Sequence, residues 1–351
     1  MKDKILVVGD FYFEVYEEAF FNSFVQLGYE TKRFKISDYL DIQKSGMYKF
    51  IDRFQYKFNI GLSIHRLNKA LFVEVSRFEP TLIFIYRGKH ILPNLLKTVK
   101  YAYPNIKVYN YNNDDAFSKK YPFYFWRLYH KGINFYDHIF CYRQKNIDDL
   151  KCRGYIDVSL LKAYYIKTFN FSLNIPFSEK KYDVVFIGHY ENDDRDLYIK
   201  SLIENSIRVQ LFGSGWKSSP YYSYLMLHSG PIDVLTPVQY NQVLNDAKIA
   251  LVFLSKLNND EYTRRCFEIP LAGSVMVSER TSTLQEWFIE NKEIVFFNSK
   301  EELLCKVKQL LKDENLTLLI SNNAKIKIRN NHNEAQDRVK EVLSIYHTTK
   351  S

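Results

Sequence analysis

The chain has 351 residues, which is too long for one small core and fits two domains of ordinary size. Hydrophobic residues make up 46% of it and charged residues 25%, and this balance excludes an intrinsically disordered chain. The formal net charge of +9 predicts an anionic partner, such as a nucleotide, a phospholipid surface or nucleic acid.

Cysteine spacing and apolar runs bear on the cellular compartment. The four cysteines form neither a CxxC pair nor a metal-ligand spacing, so we interpret them as reduced thiols of a cytosolic protein. No run approaches the ~20 apolar residues that a membrane span needs. The short apolar run at the N-terminus leads directly into Gly9 and Asp10, and is typical of a first strand rather than of a signal peptide.

The first half of the chain alternates continuous apolar runs with amphipathic segments. Such runs are typical of buried parallel strands, and apolar residues at helical spacing predict the helices between them. The predicted strands are 5–8, 31–36, 81–86, 107–111 and 137–142. The predicted helices are 17–27, 50–78 with a polar break at 59–63, and 92–102.

The periodicity fades in residues 168–181, where Asn, Ser and Pro accumulate, and then restarts. In the second half the predicted strands are 182–187, 207–212, 249–254 and 274–278. The predicted helices are 193–205, 237–246, 300–312, 316–328 and 333–346. We therefore predict an N-terminal domain at 1–167, a linker at 168–181, a second domain at 182–330, and a C-terminal helix in 331–351 that could cross back to the first domain.

The repeated order of strand and helix predicts the fold class. Parallel neighbouring strands require crossover helices, so this order implies parallel sheets. We predict an α/β protein with two facing, Rossmann-like, doubly wound domains. Ligands of such sheets bind at the carboxyl ends of the strands.

The segment 258–273 contains the most informative pattern, NNDEYTRRCFEIPLAG, and lies between two predicted strands. It predicts a loop and a short helix with Arg264 and Arg265 in its first turn. Amide groups at a helix N-terminus and the positive end of the helix dipole bind phosphate, and arginines reinforce them. A carboxylate further along the helix could accept hydrogen bonds from a ribose. The segment therefore predicts a site for a nucleotide diphosphate.

The same segment resembles a known family. Residues 262–272 read YTRRCFEIPLA and residues 277–281 read VSERT, similar to the RxFEIPAxG segment and the ERT-like strand end of CgeB-like, spore-maturation-type glycosyltransferases. Two shorter runs support the resemblance, FIG at 186–188 and LFGSGW at 211–216. The resemblance covers nearly all of residues 181–346, and the N-terminal half matches more loosely.

That family is similar to the broader GT-B superfamily, the glycosyl transferases group 1, whose hallmark is a Glu-x7-Glu motif. Glu268 fits the second glutamate, which in that group contacts the nucleotide ribose. Asp260 occupies the first position, with Glu261 beside it. The resemblance implies a GT-B fold and transfer of a sugar from a nucleotide-diphosphate donor, with retention of configuration, to a surface polysaccharide or lipid-linked glycan.

The chemistry of such a transfer needs positive charge at the departing diphosphate. No Asp-x-Asp motif lies at a predicted strand end, and we interpret residues 192–194 as a helix N-cap. We therefore expect neither a metal ion nor a cofactor, and assign the charge to Arg264 or Arg265 and the helix N-terminus. An alternative is that the charged residues form surface pairs worth ~0.2–0.5 kcal/mol each. Those pairs would be Asp260–Arg264, Glu261–Arg265 and Arg264–Glu268.

Glycines after two strands of the second domain add to the predicted site. Glycine permits positive φ and a close approach of backbone to ligand, although a tight turn explains these positions too. His189 could reach a phosphate or could be an exposed loop residue. The predicted nucleotide-sugar-binding residues are Gly188, Gly213, Gly215, Tyr262, Thr263, Arg264, Arg265 and Glu268.

Charged residues also follow three strands of the first domain, where they would face the cleft. Asp10, the pair Arg87 and Lys89, and the pair Asp114 and Asp115 occupy these positions. They could bind an acceptor hydroxyl or act as a base, and turns or N-caps explain the aspartates equally well. We assign catalysis to Arg265, Glu261 and Asp10, and acceptor binding to Arg87, Asp114 and Asp115.

The segment 117–131, FSKKYPFYFWRLYHK, mixes aromatic and basic residues. It fits peripheral contact with a membrane surface, and it fits an aromatic helix packed inside the first domain. Its periodicity does not decide between the two.

These features together predict a cytoplasmic glycosyltransferase, located in the cytosol or at the inner face of the membrane, with a glycan or lipid-linked acceptor. A GT-B-like sugar-nucleotide epimerase is one alternative, and it would need a cluster of carboxylates in the cleft. A non-catalytic module that binds a nucleotide sugar or nucleic acid is the other. Basic residues are spread over both halves rather than in one stripe, so we expect no nucleic acid partner.

Overall fold

The computed structural model describes residues 3–40 and 48–350 and divides the chain into two compact units. The first unit comprises Met1–Lys162 together with Ala335–Ser351, and the second comprises Ala163–Glu334. The chain therefore passes between the units twice. The predicted linker, residues 168–181, lies in the second unit and holds no strand or α-helix.

The first unit contains a parallel sheet of six strands in the order β2-β1-β3-β4-β5-β6. The strands are β1 (Lys4–Gly9), β2 (Glu30–Lys35), β3 (Leu82–Tyr86), β4 (Lys107–Asn112), β5 (His138–Cys141) and β6 (Val158–Leu160). The helices are α1 (Glu17–Gln26), α2 (Tyr48–Phe58), α3 (Leu62–Phe78), α4 (Pro93–Ala102), α5 (Arg127–Gly132), α6 (Gln144–Lys151) and α14 (Ala335–Lys350).

Aromatic side chains fix the helices of this unit to its sheet. Phe20 of α1 stacks on Phe84 of β3 with ring centroids 5.0 Å apart. The hydroxyl of Tyr346 in α14 donates a hydrogen bond to Asp3 at 3.1 Å, and Tyr109 of β4 bonds with Thr349 at 2.7 Å. The C-terminal helix is thus part of the core of the first unit.

The second unit contains a parallel sheet of five strands in the order β11-β10-β9-β7-β8. The strands are β7 (Tyr182–Ile187), β8 (Val209–Phe212), β9 (Ala247–Val252), β10 (Val275–Glu279) and β11 (Val295–Phe297). The helices are α7 (Arg195–Glu204), α8 (Tyr222–Ser229), α9 (Pro237–Asn245), α10 (Arg265–Ala272), α11 (Ser282–Trp287), α12 (Lys300–Lys312) and α13 (Glu314–Asn330).

The two sheets share one topology, and it determines where ligands bind. In each, the second strand in the chain lies outside the first and the third lies on its other side, so the direction of winding reverses between β1 and β3 and between β7 and β9. Ligands of doubly wound sheets bind outside the carboxyl ends of the strands at such a switch point. The sequence predicted parallel α/β domains with ligand sites at strand ends, so the candidate sites are the two switch points.

Some elements were not predicted from the sequence. They are α6, β6, α8, α11 and β11. The strand β6 has only three residues, all half-buried, so it shows no continuous apolar run. The polar break predicted at 59–63 is present, because α2 ends at Phe58 and α3 begins at Leu62.

Candidate functional site

Arg265 begins α10 and lies over the end of β7 at the switch point of the second sheet. A Cβ placed on Gly188 would be 3.0 Å from Arg265 Nη1, so the missing side chain at 188 leaves room for the guanidinium. The guanidinium carbon is 5.7 Å from the centroid of the Phe186 ring. Nη1 is buried and has no hydrogen-bond partner in the part of the chain that the structure describes. A buried donor of this kind is expected to have a partner, and an anionic ligand would supply one.

The loops after β7 and β8 are held together by backbone contacts that require glycine. Gly213 has a φ of 128°, and a Cβ there would be 2.2 Å from the carbonyl oxygen of Gly188. The indole of Trp216 donates a hydrogen bond to that same oxygen at 3.0 Å. Gly215 has a φ of 81° and precedes a short 3-10 turn. The structure therefore brings Gly188 and Gly213 together beside Arg265, in a fixed backbone arrangement.

Glu268 lies one turn into α10 and is already bonded to two side chains. Its Oε1 pairs with Arg264 Nε at 3.1 Å, and its Oε2 accepts a hydrogen bond from the Tyr240 hydroxyl at 2.7 Å. Glu268 is 2% exposed. Burial and the charge of Glu268 raise the pKa of Tyr240, so the hydroxyl stays a donor. Of the three surface pairs considered from the sequence, Arg264–Glu268 is present, and it is partly buried, with Glu268 2% and Arg264 25% exposed.

Other residues of the segment have their own local contacts. The Glu261 carboxylate accepts a hydrogen bond from Thr283 Oγ1 at 2.9 Å, so it reaches toward α11 rather than to Arg265. Tyr262 is 1% exposed, and its ring lies 4.6 Å from that of Trp287. Thr263 is buried just before the helix. The side chain of Tyr262 therefore packs in the core of the second unit.

A polar network follows β7 directly after Gly188. Glu191 Oε1 lies 3.2 Å from His189 Nε2, and its Oε2 accepts a bond from Ser255 at 3.1 Å. Burial opposes ionisation of Glu191, but the bonds from His189 and Ser255 and the charge of Arg195 outweigh it and lower its pKa to about 2. Residues 192–194 precede α7 with Asp194 at its N-cap position, as expected, but no side chain caps the helix, and Asp193 instead forms a bidentate pair with Arg195.

The described residues contain no group of three His, Cys, Asp or Glu side chains placed to hold a metal ion. Metal independence of the reaction stays a prediction. Among the described helices, none combines the length and the apolar character that crossing a bilayer requires.

In the first unit, charged side chains from three strand ends meet at the switch point, and we call Asp10, Glu17, Arg87, Lys89 and Asp114 the polar cluster. Arg87 Nη2 pairs with Asp114 at 2.6 Å, and Arg87 Nη1 lies 4.0 Å from Asp10 Oδ2. Arg87 has a φ of 61°, an uncommon value for a residue with a side chain. The structure thus brings together Asp10, Arg87 and Asp114, as their positions after successive strands suggested.

Burial shifts the protonation equilibria in the polar cluster. It raises the pKa of Asp10, against the charges of Arg87 and Lys89, and leaves Asp10 Oδ1 without a partner among the described residues. Burial and the charge of Asp10 raise the pKa of Glu17 to about 7. Burial and the charge of Arg87 lower the pKa of Lys89 to about 7. Perturbed groups of this kind are typical of functional sites.

Sequence reasoning missed part of this cluster and its surroundings. Glu17 accepts a hydrogen bond from the Asp10 backbone N–H at 3.3 Å, and Tyr56 of α2 donates one to Asp10 Oδ2 at 3.4 Å. The Lys89 ammonium lies 3.7 Å from the Phe125 ring centroid. In the sequence Glu17 is an ordinary acidic residue of a first helical turn. Glu17 is distinguished from other acidic residues by its low exposure of 4%, and periodicity in the sequence does not predict that burial.

Asp115, predicted to bind an acceptor, does not join the polar cluster. It is fully buried, accepts a hydrogen bond from Asn146 at 2.6 Å and pairs with Lys145 at 3.1 Å. Both partners belong to α6, which the sequence did not predict. The contacts of Asp115 therefore fix the loop after β4 to α6.

The aromatic segment 117–131 is largely packed into the first unit. Trp126 and Tyr129 are each 2% exposed, whereas Phe123 is 87% exposed. The segment lines a pocket of about 400 Å³ together with Arg153 and Tyr155. Trp126 lies between this pocket and the polar cluster, with the Arg87 guanidinium 5.7 Å from its ring. Packing within the first unit thus accounts for most of the aromatic side chains of this segment, and Phe123 is the exposed exception.

Comparison with protein families gives a match that covers most of the second unit and part of α14. Residues 195–344 match the model of a family described as glycosyl transferase-like. This range holds Arg265, Glu268 and both glycines after β8. No curated protein matched the sequence.

Solved structures match the whole chain at low sequence identity. Sucrose-phosphate synthase from Thermosynechococcus elongatus is similar with a TM-score of 0.76 at 9% identity, covering 99% of both chains. Anabaena HepE in complex with UDP and glucose has a TM-score of 0.66 at 10% identity, covering 99% of this chain and 100% of that one. A putative UDP-N-acetylglucosamine 2-epimerase from Listeria monocytogenes has a TM-score of 0.60 at 11% identity, covering 100% and 98%. The chain therefore has the predicted GT-B fold, with two parallel α/β domains and a C-terminal helix, and its residues 195–344 match the glycosyl transferase-like family.

Proposed function

We propose that the chain is a glycosyltransferase that moves a sugar from a nucleotide-diphosphate donor to a glycan or lipid-linked acceptor. The observation that carries the proposal is Arg265 Nη1, which is buried at the end of β7 beside two glycine-containing loops and has no partner in the described part of the chain. A diphosphate bound there would receive charge-assisted hydrogen bonds from a group already in place. The family match over residues 195–344 and the GT-B fold support transfer of a glycosyl group.

The donor is proposed to be a uridine-diphosphate sugar. HepE, which shares the fold, was solved in complex with UDP-glucose. In this chain we assign the diphosphate to Arg265 and the backbone near Gly188, and the ribose to Glu268. Because both Glu268 oxygens already have partners, the ribose would share this carboxylate with Arg264 and Tyr240.

The acceptor side is proposed to use the polar cluster of the first unit. Asp10 has a raised pKa, a carboxylate oxygen without a partner in the described structure, and a switch-point position. These properties suit a group that binds an acceptor hydroxyl or takes its proton. Retention of configuration, independence from metal ions, a cytoplasmic location at the inner membrane face, a role in surface polysaccharide synthesis and the CgeB-like subtype belong to the same proposal.

A sugar-nucleotide epimerase is the second candidate, and two observations favour keeping it. One solved structure of similar fold is a putative UDP-N-acetylglucosamine 2-epimerase. The neighbouring residues Asp10 and Glu17, whose carboxyl pKa values are raised by burial, also provide the acid–base residues that an epimerase needs.

Binding and turnover of UDP-sugars test both candidates. Calorimetric titration of the full chain with UDP, GDP and dTDP should show binding of UDP, and saturating UDP should raise the apparent stability by about 2.7 kcal/mol at 100 times its Kd. Incubation with UDP-glucose or UDP-N-acetylglucosamine alone then separates the candidates, since an epimerase forms the epimer without an acceptor. If the chain binds none of the three diphosphates, the site assignment is wrong.

A further inference from the structure

Large apolar side chains of the first unit are exposed on α2, at the start of α3 and on a neighbouring loop. Phe50, Ile51 and Phe54 are 73%, 55% and 53% exposed, and Leu62 is 71% exposed. Phe123 is 87% exposed. We call these five residues the apolar surface. Phe54 lies four positions after Phe50 and three after Ile51, so the three side chains share one side of the helix.

A chain of ring contacts connects α2 to Phe123. The Phe54 and Phe58 centroids are 4.6 Å apart, Phe58 and Tyr124 are 4.7 Å apart, and Tyr124 and Phe123 are 5.6 Å apart. The Asn59 side chain also donates a hydrogen bond to the carbonyl of residue 125 at 2.9 Å. These contacts fix the exposed loop against the end of α2, so both parts belong to one surface.

The segments that carry this surface are strongly basic. Residues 48–69 contain five Lys or Arg residues and one acidic residue, Asp52, and residues 117–131 contain four Lys or Arg residues and no acidic one. Arg53 and Lys57 are exposed on α2, and Lys119 and Lys120 are exposed on the loop. A second copy of this chain would bring these cations against one another, which is unfavourable. Apolar rings with a basic surround fit the interface of an anionic bilayer, where the rings enter the acyl boundary and the cations meet the headgroups.

We propose that the apolar surface docks this chain on an anionic lipid bilayer, with α2 lying at the level of the headgroups. The opposite face of α2 covers the polar cluster, because Tyr56 donates to Asp10 at 3.4 Å and packs 4.3 Å from the His90 ring. Delivery of a lipid-linked acceptor to Asp10 from that bilayer rests on the proposed function. The docking itself does not.

Vesicle sedimentation with the full chain tests the docking. The probes are vesicles of phosphatidylcholine with and without phosphatidylglycerol, at low and high salt. The wild-type chain should bind the anionic vesicles, and bind less at high salt because cations contribute to the affinity. A Phe50→Ser, Phe54→Ser double variant should bind these vesicles roughly tenfold more weakly or worse, since it removes two rings from the acyl boundary.

A matched control uses equally exposed apolar residues of the second unit. Leu227 and Val238 are 78% and 74% exposed, and a Leu227→Ser, Val238→Ser variant should bind vesicles like the wild type. All four side chains are more than half exposed, so both variants should stay folded, and the Phe50→Ser, Phe54→Ser variant should melt only slightly below the wild type because it loses the Phe54–Phe58 ring contact. Lysine-to-glutamine changes at Lys57 and Lys119 should reduce anionic binding and leave the apolar surface intact.

Three results with vesicles would overturn the proposal. They are no wild-type binding to anionic vesicles at low salt, equal binding by the wild type and the Phe50→Ser, Phe54→Ser variant, or equal loss in the control variant. Light scattering that shows a wild-type dimer dissociated by this double variant would make the surface an interface between copies, and would overturn it too. UDP titration tests the proposed function separately from the docking. If the wild-type chain does not bind UDP, the transferase proposal is refuted and the vesicle result still stands.

Discussion

Replacing Arg265 with alanine should weaken nucleotide binding and leave the fold intact. Within the described residues the Arg265 side chain forms no ion pair, and its Nη1 is buried without a hydrogen-bond partner. Removing it therefore leaves no carboxylate unpaired, so the free energy of unfolding should change by no more than ~0.5 kcal/mol. The loss of one charge-assisted hydrogen bond to a diphosphate costs about 1.5–3 kcal/mol. The Kd for UDP should rise by roughly 10–150-fold.

The neighbouring Arg264 provides a matched control with the opposite outcome. Its Nε pairs at 3.1 Å with Glu268, which is 2% exposed, so Arg264→Ala leaves a buried carboxylate with Tyr240 as its remaining partner among the described residues. Because the Arg264 side chain is 25% exposed, water can compensate in part, and we expect a loss of about 1–3 kcal/mol rather than the larger cost of breaking a fully buried pair. Chemical denaturation and UDP titration of both variants provide the two readouts. Equal destabilisation of the two, or an unchanged Kd for UDP in Arg265→Ala, would refute the reasoning.

Three further changes test the loops and the polar cluster. Gly213→Ala should lower the free energy of unfolding by about 2–4 kcal/mol and weaken UDP binding, because its Cβ would be 2.2 Å from the Gly188 carbonyl oxygen. In Gly215→Ala the Cβ meets nothing closer than 3.6 Å, so this variant should lose only ~1 kcal/mol for its positive φ. Equal denaturation midpoints of the two variants would contradict this. The pKa of Glu17 is about 7 in the folded chain against 4.5 for the free side chain, so the folded state holds the proton more tightly and stability falls as pH rises from 4.5 to 7, by up to about 3 kcal/mol. Glu17→Gln should remove that fall, which denaturation at pH 5 and pH 8 would reveal by comparison with the wild type. Asp10→Asn should lower acceptor-dependent turnover by about 10²–10⁴-fold at unchanged UDP affinity if Asp10 is the base, and wild-type turnover would exclude that role.

Strand ends were predictable from the sequence because buried parallel strands are continuous apolar runs followed by glycine or polar residues. The polar residues after β1, β3 and β4 could therefore be assigned to one edge of a sheet from the sequence alone. The same reasoning placed Gly188 and Gly213 after neighbouring strands. It could not show that Gly213 touches the Gly188 carbonyl, since that contact depends on the path of two loops.

Partners of individual side chains were not predictable, because spacing along a helix is compatible with several of them. Glu261 stands four positions before Arg265, yet its carboxylate accepts a bond from Thr283, which follows a different strand. Asp115 adjoins Asp114 in sequence but bonds to α6, a short polar helix with only two apolar residues, Ile147 and Leu150. Glu17 and Tyr56 reach Asp10 only through tertiary packing.

The membership of α14 in the first unit has a consequence for the order in which the chain folds. The second unit is one uninterrupted stretch, Ala163–Glu334, inserted between the two parts of the first. A nascent chain can therefore complete the second unit before α14, which packs against α1 and buries Val339, Val342 and Tyr346, has been synthesised. During synthesis the incomplete first unit would be the aggregation-prone species, and holding chaperones would be expected to act on it.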